Sequence, residues 1–401
     1  MYDFTTRIDR TGTGSDKWDS MRRLSPDLGR DIVPLSVADM EFKMAPEITR
    51  GLQDFLNGLV LGYTGPTERY YDAVRFWMRD RHGWDIKDEW IVLTNGVVAG
   101  FFSAVKAFTA PGEGVILMPP VYYPFFMAAE RNNRRTAASN LVFKNGRYEI
   151  DFDDLEEKAR DPNNRVLLFC SPHNPVGRVW EAGELKRVGD ICLRHGVTII
   201  SDEIHFDLIM PGFTHTLFAV LGEEYAQNMV VCTAPSKTFN LAGMRSSNII
   251  IPNRELRKKY LEEISQNLGA PALNTLGYRA CEIAYTRCGD WLAELITVLD
   301  GNRRLVEEFI SRRIPRIKVC PLEGTYLQWW DCRELGMDYR ELETFMINEA
   351  RLFLDEGYIF GENGRGYERI NLACPAAVLE ESLERLAGAL AKRDPRLAAA
   401  Y

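Results

Sequence analysis

Residues 197–205 read Val-Thr-Ile-Ile-Ser-Asp-Glu-Ile-His, an apolar run that ends in two adjacent carboxylates. An uninterrupted apolar strand of this kind is typical of a parallel sheet that helices cover on both faces. Similar strands are predicted at residues 90–94, 114–118, 165–170, 229–233 and 246–251. Helices are predicted between them, for example at residues 97–108 and 181–195. Strands that alternate with helices predict an α/β domain with a mostly parallel central sheet.

The pattern changes after about residue 285. A helix is predicted at residues 291–313, and it is followed by short strands at 318–320, 325–330 and 367–373 and by helices at 339–349 and 375–392. These elements predict a smaller α+β unit, and a chain of 401 residues is long enough for two domains. We expect a large α/β domain at residues 46–285 and a small α+β domain formed by residues 1–45 and 286–401.

Composition and charge exclude several classes of protein. The net charge of −8 leaves no basic excess to neutralise phosphates, so we expect no nucleic-acid partner. The apolar runs have the length of strands and the N-terminus has no apolar signal region, so we expect a cytoplasmic protein without a membrane partner. Eight scattered cysteines without a CxxC pair predict buried, reduced thiols. Five scattered histidines without ligand spacing predict no metal site.

Three polar residues follow predicted strands in the order Asn, Asp, Lys. They are Asn174 in Ser-Pro-His-Asn-Pro, Asp202 in Ile-Ser-Asp-Glu-Ile-His, and Lys237 in Thr-Ala-Pro-Ser-Lys-Thr-Phe-Asn. In open α/β sheets ligands bind beyond the carboxyl ends of the strands, where all three residues fall. A lysine amine can form a Schiff base with the aldehyde of pyridoxal 5′-phosphate (PLP), and a carboxylate can keep the pyridine nitrogen protonated. Taken singly, each residue also has an ordinary structural explanation. Asn174 is typical of an Asn-Pro turn, Asp202 of a helix cap and Lys237 of a solvated loop.

A second group of residues suits the phosphate of such a cofactor. Gly96 and Val97 stand at a predicted strand–glycine–helix junction, and free N–H groups at a helix start attract phosphate. Ser236 directly precedes Lys237, and Arg245 follows it by eight residues and offers a bidentate fork. The alternative for Ser236 is an ordinary turn or cap serine.

Four further residues are candidates for the same site. His205, three residues after Asp202, either supports that carboxylate or is an ordinary polar residue at a helix start. Tyr122 lies in a Pro-rich loop where its ring could stack on a cofactor, with its neighbour Tyr123 as competitor. Tyr63 lies on a Gly/Pro-rich loop. Arg369 suits a substrate α-carboxylate, although a surface arginine on a strand would look the same.

Together these motifs resemble fold-type I PLP enzymes of the class I/II aminotransferase superfamily. The resemblance rests on Ser-Pro-His-Asn-Pro-Val-Gly, Ile-Ser-Asp-Glu-Ile-His and Pro-Ser-Lys-Thr-Phe-Asn-Leu-Ala-Gly, and it covers essentially the whole chain. Val-Ala-Asp-Met-Glu-Phe at residues 37–42 and Gly-Tyr-Thr at residues 62–64 look most like the cystathionine β-lyase and cystalysin branch of C–S lyases. One departure concerns the phosphate site, because many relatives carry Ser or Thr where this chain has Ala234.

The resemblance implies a role for each candidate. Lys237 would bind PLP covalently, Asp202 would pair with the ring nitrogen, and Asn174 would contact the ring oxygen. Tyr122 would stack on the ring, and Arg369 would bind the substrate carboxylate. The phosphate would be held by Gly96, Val97, Ser236 and Arg245. Tyr63 would reach the phosphate from the other subunit of a homodimer with shared active sites. The catalytic residues that the resemblance implies are Lys237, Tyr122 and Tyr63.

Three functions are compatible with these residues. The first is a C–S β-lyase that converts L-cystathionine, L-cystine or a related S-substituted cysteine into pyruvate, ammonia and a thiol. The second is an aminotransferase, which uses the same residues but reprotonates the cofactor instead of expelling a thiolate. The third is a PLP-binding regulatory protein without turnover, because one fold can host several roles. The intact set of site residues argues against the third.

Overall fold

The computed structural model describes residues 1–268 and 274–397. Its strands are β1 (Ile91–Thr94), β2 (Gly114–Leu117), β3 (Arg135–Ala138), β4 (Val142–Lys144), β5 (Arg147–Glu149), β6 (Asn164–Cys170), β7 (Thr198–Asp202), β8 (Met229–Thr233), β9 (Ser247–Ile250), β10 (Lys318–Val319), β11 (Leu327–Asp331), β12 (Asp355–Glu356) and β13 (Tyr367–Asn371).

The helices alternate with these strands. They are α1 (Asp16–Leu24), α2 (Pro46–Asn57), α3 (Glu68–His82), α4 (Val97–Phe108), α5 (Pro124–Glu130), α6 (Phe152–Arg160), α7 (Ala182–His195), α8 (Glu223–Ala226), α9 (Pro235–Thr238), α10 (Arg254–Leu268), α11 (Thr275–Arg287), α12 (Gly289–Arg313), α13 (Tyr339–Asn348) and α14 (Ala376–Arg393). The predicted alternation is therefore confirmed.

A seven-stranded sheet forms the centre of the larger unit, with the strand order β1-β9-β8-β7-β6-β2-β3. Its strands run parallel except β9, which pairs antiparallel with both β1 and β8. Strand residues of β2, β7 and β8 are almost completely buried, because helices cover both faces of the sheet. The prediction of a mostly parallel central sheet is confirmed, and β9 is its one reversed strand.

A four-stranded antiparallel sheet forms the centre of the smaller unit, in the order β10-β11-β13-β12. The N-terminal segment is hydrogen-bonded to this sheet, since Leu35 N–H donates to Phe353 O and Asn371 N–H donates to Leu35 O. These bonds support our proposal that residues 1–45 and 286–401 form a small domain and residues 46–285 a large one.

One predicted boundary in the small sheet is wrong. The strand predicted at residues 325–330 begins at Leu327, because Thr325 has a φ of 71°. A β-branched residue with positive φ is an outlier in a strand. The Thr325 hydroxyl accepts a hydrogen bond from Leu327 N–H at 3.0 Å, which satisfies the backbone at this turn.

Other features bear on the predicted class of protein. All eight cysteines are buried and free. None of the described helices combines the length and apolarity that crossing a membrane requires. Within the same residues, no group of three or more His, Cys, Asp and Glu side chains is placed to hold a metal ion.

Candidate active site

A cavity lies at the carboxyl ends of β6, β7 and β8, where the sheet topology brings the predicted residues together. Nine of the residues predicted for the cofactor line it: Gly96, Val97, Tyr122, Asn174, Asp202, His205, Ser236, Lys237 and Arg245. They come from separate stretches of the chain, and parallel strands place their carboxyl ends at one edge of the sheet.

Lys237 lies in the one-turn helix α9, four residues after the end of β8. Its Nζ donates a hydrogen bond to the main-chain oxygen of Ala38 at 2.6 Å. Burial lowers the pKa of the Lys237 amine from 10.5 to about 8, while Asp39 opposes that shift and Arg369 adds to it. The site thus holds a primary amine that loses its proton near neutral pH.

Asp202 is the last residue of β7, and its neighbours in the parallel register are Cys170 and Cys232. Its side chain is buried, and its Oδ1 accepts a hydrogen bond from Ile204 N–H at 3.2 Å. Burial raises the pKa of the Asp202 carboxyl from 3.8 to about 7. A buried carboxylate with so little compensation would be stabilised by a cationic group bound in the cavity.

Asn174 and Arg369 are joined at the side of the cavity. Arg369 Nη1 donates to Asn174 Oδ1 at 2.8 Å, and its Nη2 contacts Asp355 Oδ2. Because Oδ1 of Asn174 is engaged, its Nδ2 is left as a donor on this cavity-lining side chain. The buried Nε of Arg369 has no hydrogen-bond partner among the described residues.

The start of α4 offers an anion site in the cavity wall. Gly96 caps α4 with a φ of 103°, a conformation that L side chains rarely adopt, and the first N–H groups of this 12-residue helix follow it. Ser236, Arg245, Asn95 and Ser246 also line the cavity.

Ala234, the departure from the family pattern, is buried at the start of α9. It is not among the residues that line the cavity. Asn95 and Ser246 are two polar residues of the cavity wall that the sequence motifs did not indicate.

Tyr122 and His205 complete the cavity wall. Tyr122, and not Tyr123, lines the cavity, and burial raises the pKa of the Tyr122 hydroxyl so that it stays protonated. His205 is buried with its ring 5.9 Å from that of Tyr326, and burial holds the pKa of its imidazole well below 6.5. Its Nδ1 has no hydrogen-bond partner among the described residues, and no hydrogen bond from His205 to Asp202 is formed there. The structure therefore does not support the interpretation that His205 holds that carboxylate directly.

Two predicted residues do not line the cavity of a single chain: Arg369, which is hydrogen-bonded to Asn174, and Tyr63. The Tyr63 side chain is fully exposed, at 112% of the reference area, within an apolar run that includes Val60 at 84% and Leu61 at 76%. Exposed apolar runs of this size mark interaction surfaces.

The Ala38 carbonyl is the contact that sequence reasoning missed. The motif at residues 37–42 indicated the family but not this contact. A main-chain oxygen is present in every residue, so no residue type in the sequence points to it. Its contact with Lys237 joins positions 199 residues apart.

Comparison with known proteins identifies the family. The profile of the family "Aminotransferase class I and II" matches residues 30–389. The chain belongs to this family. Its members are PLP-dependent, so the predicted fold type and cofactor are confirmed.

Several relatives of this chain have names that describe them as lyases. The chain is 42% identical over 388 residues to cystathionine β-lyase PatB of Bacillus subtilis (strain 168), covering 96% of this chain and 99% of PatB. The crystal structure of cystalysin from Treponema denticola, which contains PLP, has a TM-score of 0.97 and 53% identity over 98% of this chain and 100% of that one. The PLP-bound C–S lyase from Staphylococcus hominis has a TM-score of 0.89 and 31% identity over 97% and 98% of the two chains.

Proposed function

We propose that this enzyme is a PLP-dependent C–S β-lyase that cleaves S-substituted cysteines of the L-cystathionine and L-cystine type. The products are pyruvate, ammonia and a thiol. The observation that carries the proposal is the placement of Lys237 and Asp202 on one cavity, with Arg369 hydrogen-bonded to the cavity residue Asn174. The relatives of this chain with 42% and 31% identity are named as lyases.

The residues of the cavity fit PLP. Among the described residues Asp202 forms no ion pair, and Lys237 only partly offsets the effect of burial on its pKa. A protonated pyridine nitrogen would supply the cationic partner that stabilises this carboxylate. Lys237 would bind the aldehyde carbon of the cofactor, and Asn174 Nδ2 would donate a hydrogen bond to its phenolic oxygen. The ring of Tyr122 would stack on the face of the pyridine ring. The start of α4 at Gly96 and Val97, with Ser236 and Arg245, would hold the phosphate. When bound, PLP supplies an electron sink for the pair that the departing Cα proton leaves behind.

Lys237 is the proposed base that removes the Cα proton. Its amine must be neutral to accept a proton, and lowering the pKa from 10.5 to about 8 makes the neutral form far more accessible near neutral pH than in a free lysine. The Ala38 carbonyl accepts one N–H of this amine and so orients its lone pair.

Arg369 is the proposed site of the substrate α-carboxylate. Its guanidinium is 98% buried and is held by Asn174 and Asp355, so its orientation is set before the substrate arrives. With the carboxylate on Arg369 and the Cα proton at Lys237, the Cβ–S bond breaks and the sulfur leaves as a thiolate. Either protonated Lys237 or the Tyr122 hydroxyl, which stays protonated, delivers a proton to that sulfur.

Product analysis without an oxo-acid acceptor tests this function. Purified, PLP-loaded enzyme incubated with L-cystathionine is expected to release pyruvate, ammonia and thiol in equal amounts over many turnovers. With L-cystine the persulfide of cysteine takes the place of the thiol. An enzyme that stops after one half-turnover and resumes only when a 2-oxo acid is added is an aminotransferase, and that outcome contradicts the proposal.

Tyr63 and its exposed apolar run support a homodimer with shared sites, in which Tyr63 of one subunit reaches the phosphate bound by the other. Tyr63→Ala is expected to weaken PLP binding about 10–100-fold, because a hydrogen bond to a charged group contributes about 1.5–3 kcal/mol. Fluorescence titration of the apoenzyme with PLP measures this change.

Mixed dimers give a sharper test of the shared site. At a PLP concentration that does not saturate Tyr63→Ala, a 1:1 mixture of Tyr63→Ala and Lys237→Ala subunits contains heterodimers with one intact site. Random assortment of a two-fold dimer then restores about a quarter of the wild-type activity. A mixture of Lys237→Ala with Asp202→Asn is the matched control and restores nothing, because both changes damage the site of their own subunit. Absence of recovery in both mixtures would contradict the shared site.

The free, buried state of all eight cysteines favours a reducing compartment, so we assign the enzyme to the cytoplasm.

A further inference from the structure

The residue Asp355 connects two parts of the site that the proposed reaction must hold together. Its Oδ2 accepts hydrogen bonds from Arg369 Nη2 and, at 2.9 Å, from the main-chain N–H of Val37. Asp355 pairs with Arg369 across β12 and β13, and its side chain is 14% exposed. One carboxylate oxygen thus contacts both the proposed substrate-binding arginine and the segment that precedes Ala38.

Residues 37–42, here called the strap, carry the Ala38 carbonyl to Lys237. Val37 at its start has a φ of 54°, which a β-branched residue adopts only when its surroundings impose it. Asp355 holds the N–H of Val37, and Asn371 Nδ2 donates to its carbonyl oxygen at 2.7 Å. This conformation directs the Ala38 oxygen towards Lys237 Nζ, and the Tyr326 hydroxyl donates to the same oxygen at 2.9 Å.

The rest of the strap is anchored independently of Asp355. Asn240, three residues after Lys237, accepts from Met40 N–H at 3.0 Å and donates to Phe42 O at 2.8 Å. The buried Lys17 amine pairs with Asp39 at 2.9 Å and with Glu41 at 2.7 Å. Loss of Asp355 should therefore loosen the start of the strap, beside Ala38, without releasing the whole segment.

We propose that Asp355 is a positioning residue of the reaction. It sets the Arg369 guanidinium and the Ala38 carbonyl at a fixed separation, so that a substrate whose carboxylate lies on Arg369 presents its Cα proton to the Lys237 amine. A displacement of about 1 Å at such a junction can slow a reaction about 10²-fold. This inference rests on the proposed roles of Lys237 and Arg369, but it does not depend on which bond breaks after the Cα proton is removed.

The test measures exchange of the Cα hydrogen of L-alanine in D2O by NMR, per PLP-loaded site. L-alanine has no thiolate to expel, so the exchange reports proton removal alone. Asp355→Asn keeps the size of the side chain and an oxygen for Val37 N–H, but it removes the charge that pairs with Arg369. At saturating L-alanine, its exchange is expected to be about 10–100-fold slower than in the wild type. The half-saturating concentration of L-alanine should not rise, because losing a negative charge beside Arg369 does not weaken the attraction between its guanidinium and the substrate carboxylate.

Two further variants complete the comparison. Asp355→Ala, which also removes the acceptor for Val37 N–H, is expected to be slower still. Glu356→Gln removes the adjacent carboxylate of β12 and is the matched control, with exchange close to that of the wild type. Thermal unfolding midpoints of all variants identify any general loss of structure.

Several results would overturn the assignment. Exchange at the wild-type rate in both Asp355 variants would exclude a positioning role. A rise in half-saturating concentration at an unchanged maximal rate would assign Asp355 to substrate binding alone. Slower exchange in Asp355→Asn accompanied by a large fall in its unfolding midpoint would make the role structural. A wild-type enzyme that exchanges the Cα hydrogen but forms no pyruvate from L-cystathionine would refute the lyase function and leave this test intact.

Discussion

Replacing Lys237 with alanine is expected to abolish turnover, with a fall in kcat of at least about 10⁴-fold, the upper end of what a single general base contributes. The variant loses both the proposed covalent attachment of PLP and the base for the Cα proton. Pyruvate formation from L-cystathionine measures the loss, and the PLP absorbance spectrum of the purified protein reports the missing covalent link. Wild-type activity in Lys237→Ala would refute the central assignment.

The fold should survive this substitution. The pKa of Lys237 is about 8 in the folded protein and 10.5 as the reference value, so the unfolded state binds more protons between these pH values. Stability contributed by this group is therefore lowest below pH 8 and rises towards pH 10.5. At pH 7 the buried, protonated amine of Lys237 destabilises the folded state, and the substitution removes this cost. The unfolding midpoint of apo-Lys237→Ala should therefore not fall at pH 7. Lys186→Ala, on the exposed side of α7, is the matched control, with unchanged activity.

Replacing Asp202 with asparagine is expected to lower kcat by about 10²–10³-fold, comparable with the loss of one preorganised electrostatic contact. Without the carboxylate, the pyridine nitrogen has no anionic partner and the electron sink weakens. Asp153→Asn on α6, where the side chain is fully exposed, is the control and should retain wild-type kinetics. A variant with undiminished kcat would show that Asp202 does not pair with the ring.

The apoenzyme provides a test of Asp202 that needs no catalysis. The carboxyl pKa is about 7 in the folded protein against 3.8 as the reference value, so the folded state is penalised fully above pH 7 and not at all below pH 3.8. Apo-Asp202→Asn should therefore be more stable than the apo wild type at pH 8, by up to roughly 4 kcal/mol, and the gain should vanish near pH 4. Added PLP should stabilise the wild type more than the variant, because it supplies the missing cation. A variant that is less stable than the wild type at pH 8 would contradict this account.

The core of the site could be predicted from the sequence because each residue follows an apolar strand. Asn174, Asp202 and Lys237 come after β6, β7 and β8, which are neighbours in the sheet. In a parallel sheet with helical crossovers, positions that end successive strands meet at one edge, so a one-dimensional pattern implied a three-dimensional cluster. Gly96 was predictable for a similar reason, because a glycine between a strand and a helix marks an anion-binding turn.

The contacts made by the N-terminal segment could not be predicted in this way. Val37 and Ala38 meet Asp355 and Lys237 through main-chain atoms, and neither a carbonyl oxygen nor an amide hydrogen has a residue signature. Asp355 lies on a two-residue strand too short to give a periodic pattern. His205 shows the converse limit: its spacing from Asp202 suggested support for that carboxylate, but no hydrogen bond joins the two side chains among the described residues.

By itself, the sequence determined the α/β fold, because that follows from strand periodicity. The side chains at strand ends, together with the family resemblance, indicated the cofactor class and nine of the residues that line the cavity. Only the tertiary structure decided how Arg369, Asp355 and the strap are arranged around Lys237. Those contacts join segments up to 318 residues apart. Their geometry depends on contacts between segments that are distant in the sequence, which no local pattern encodes.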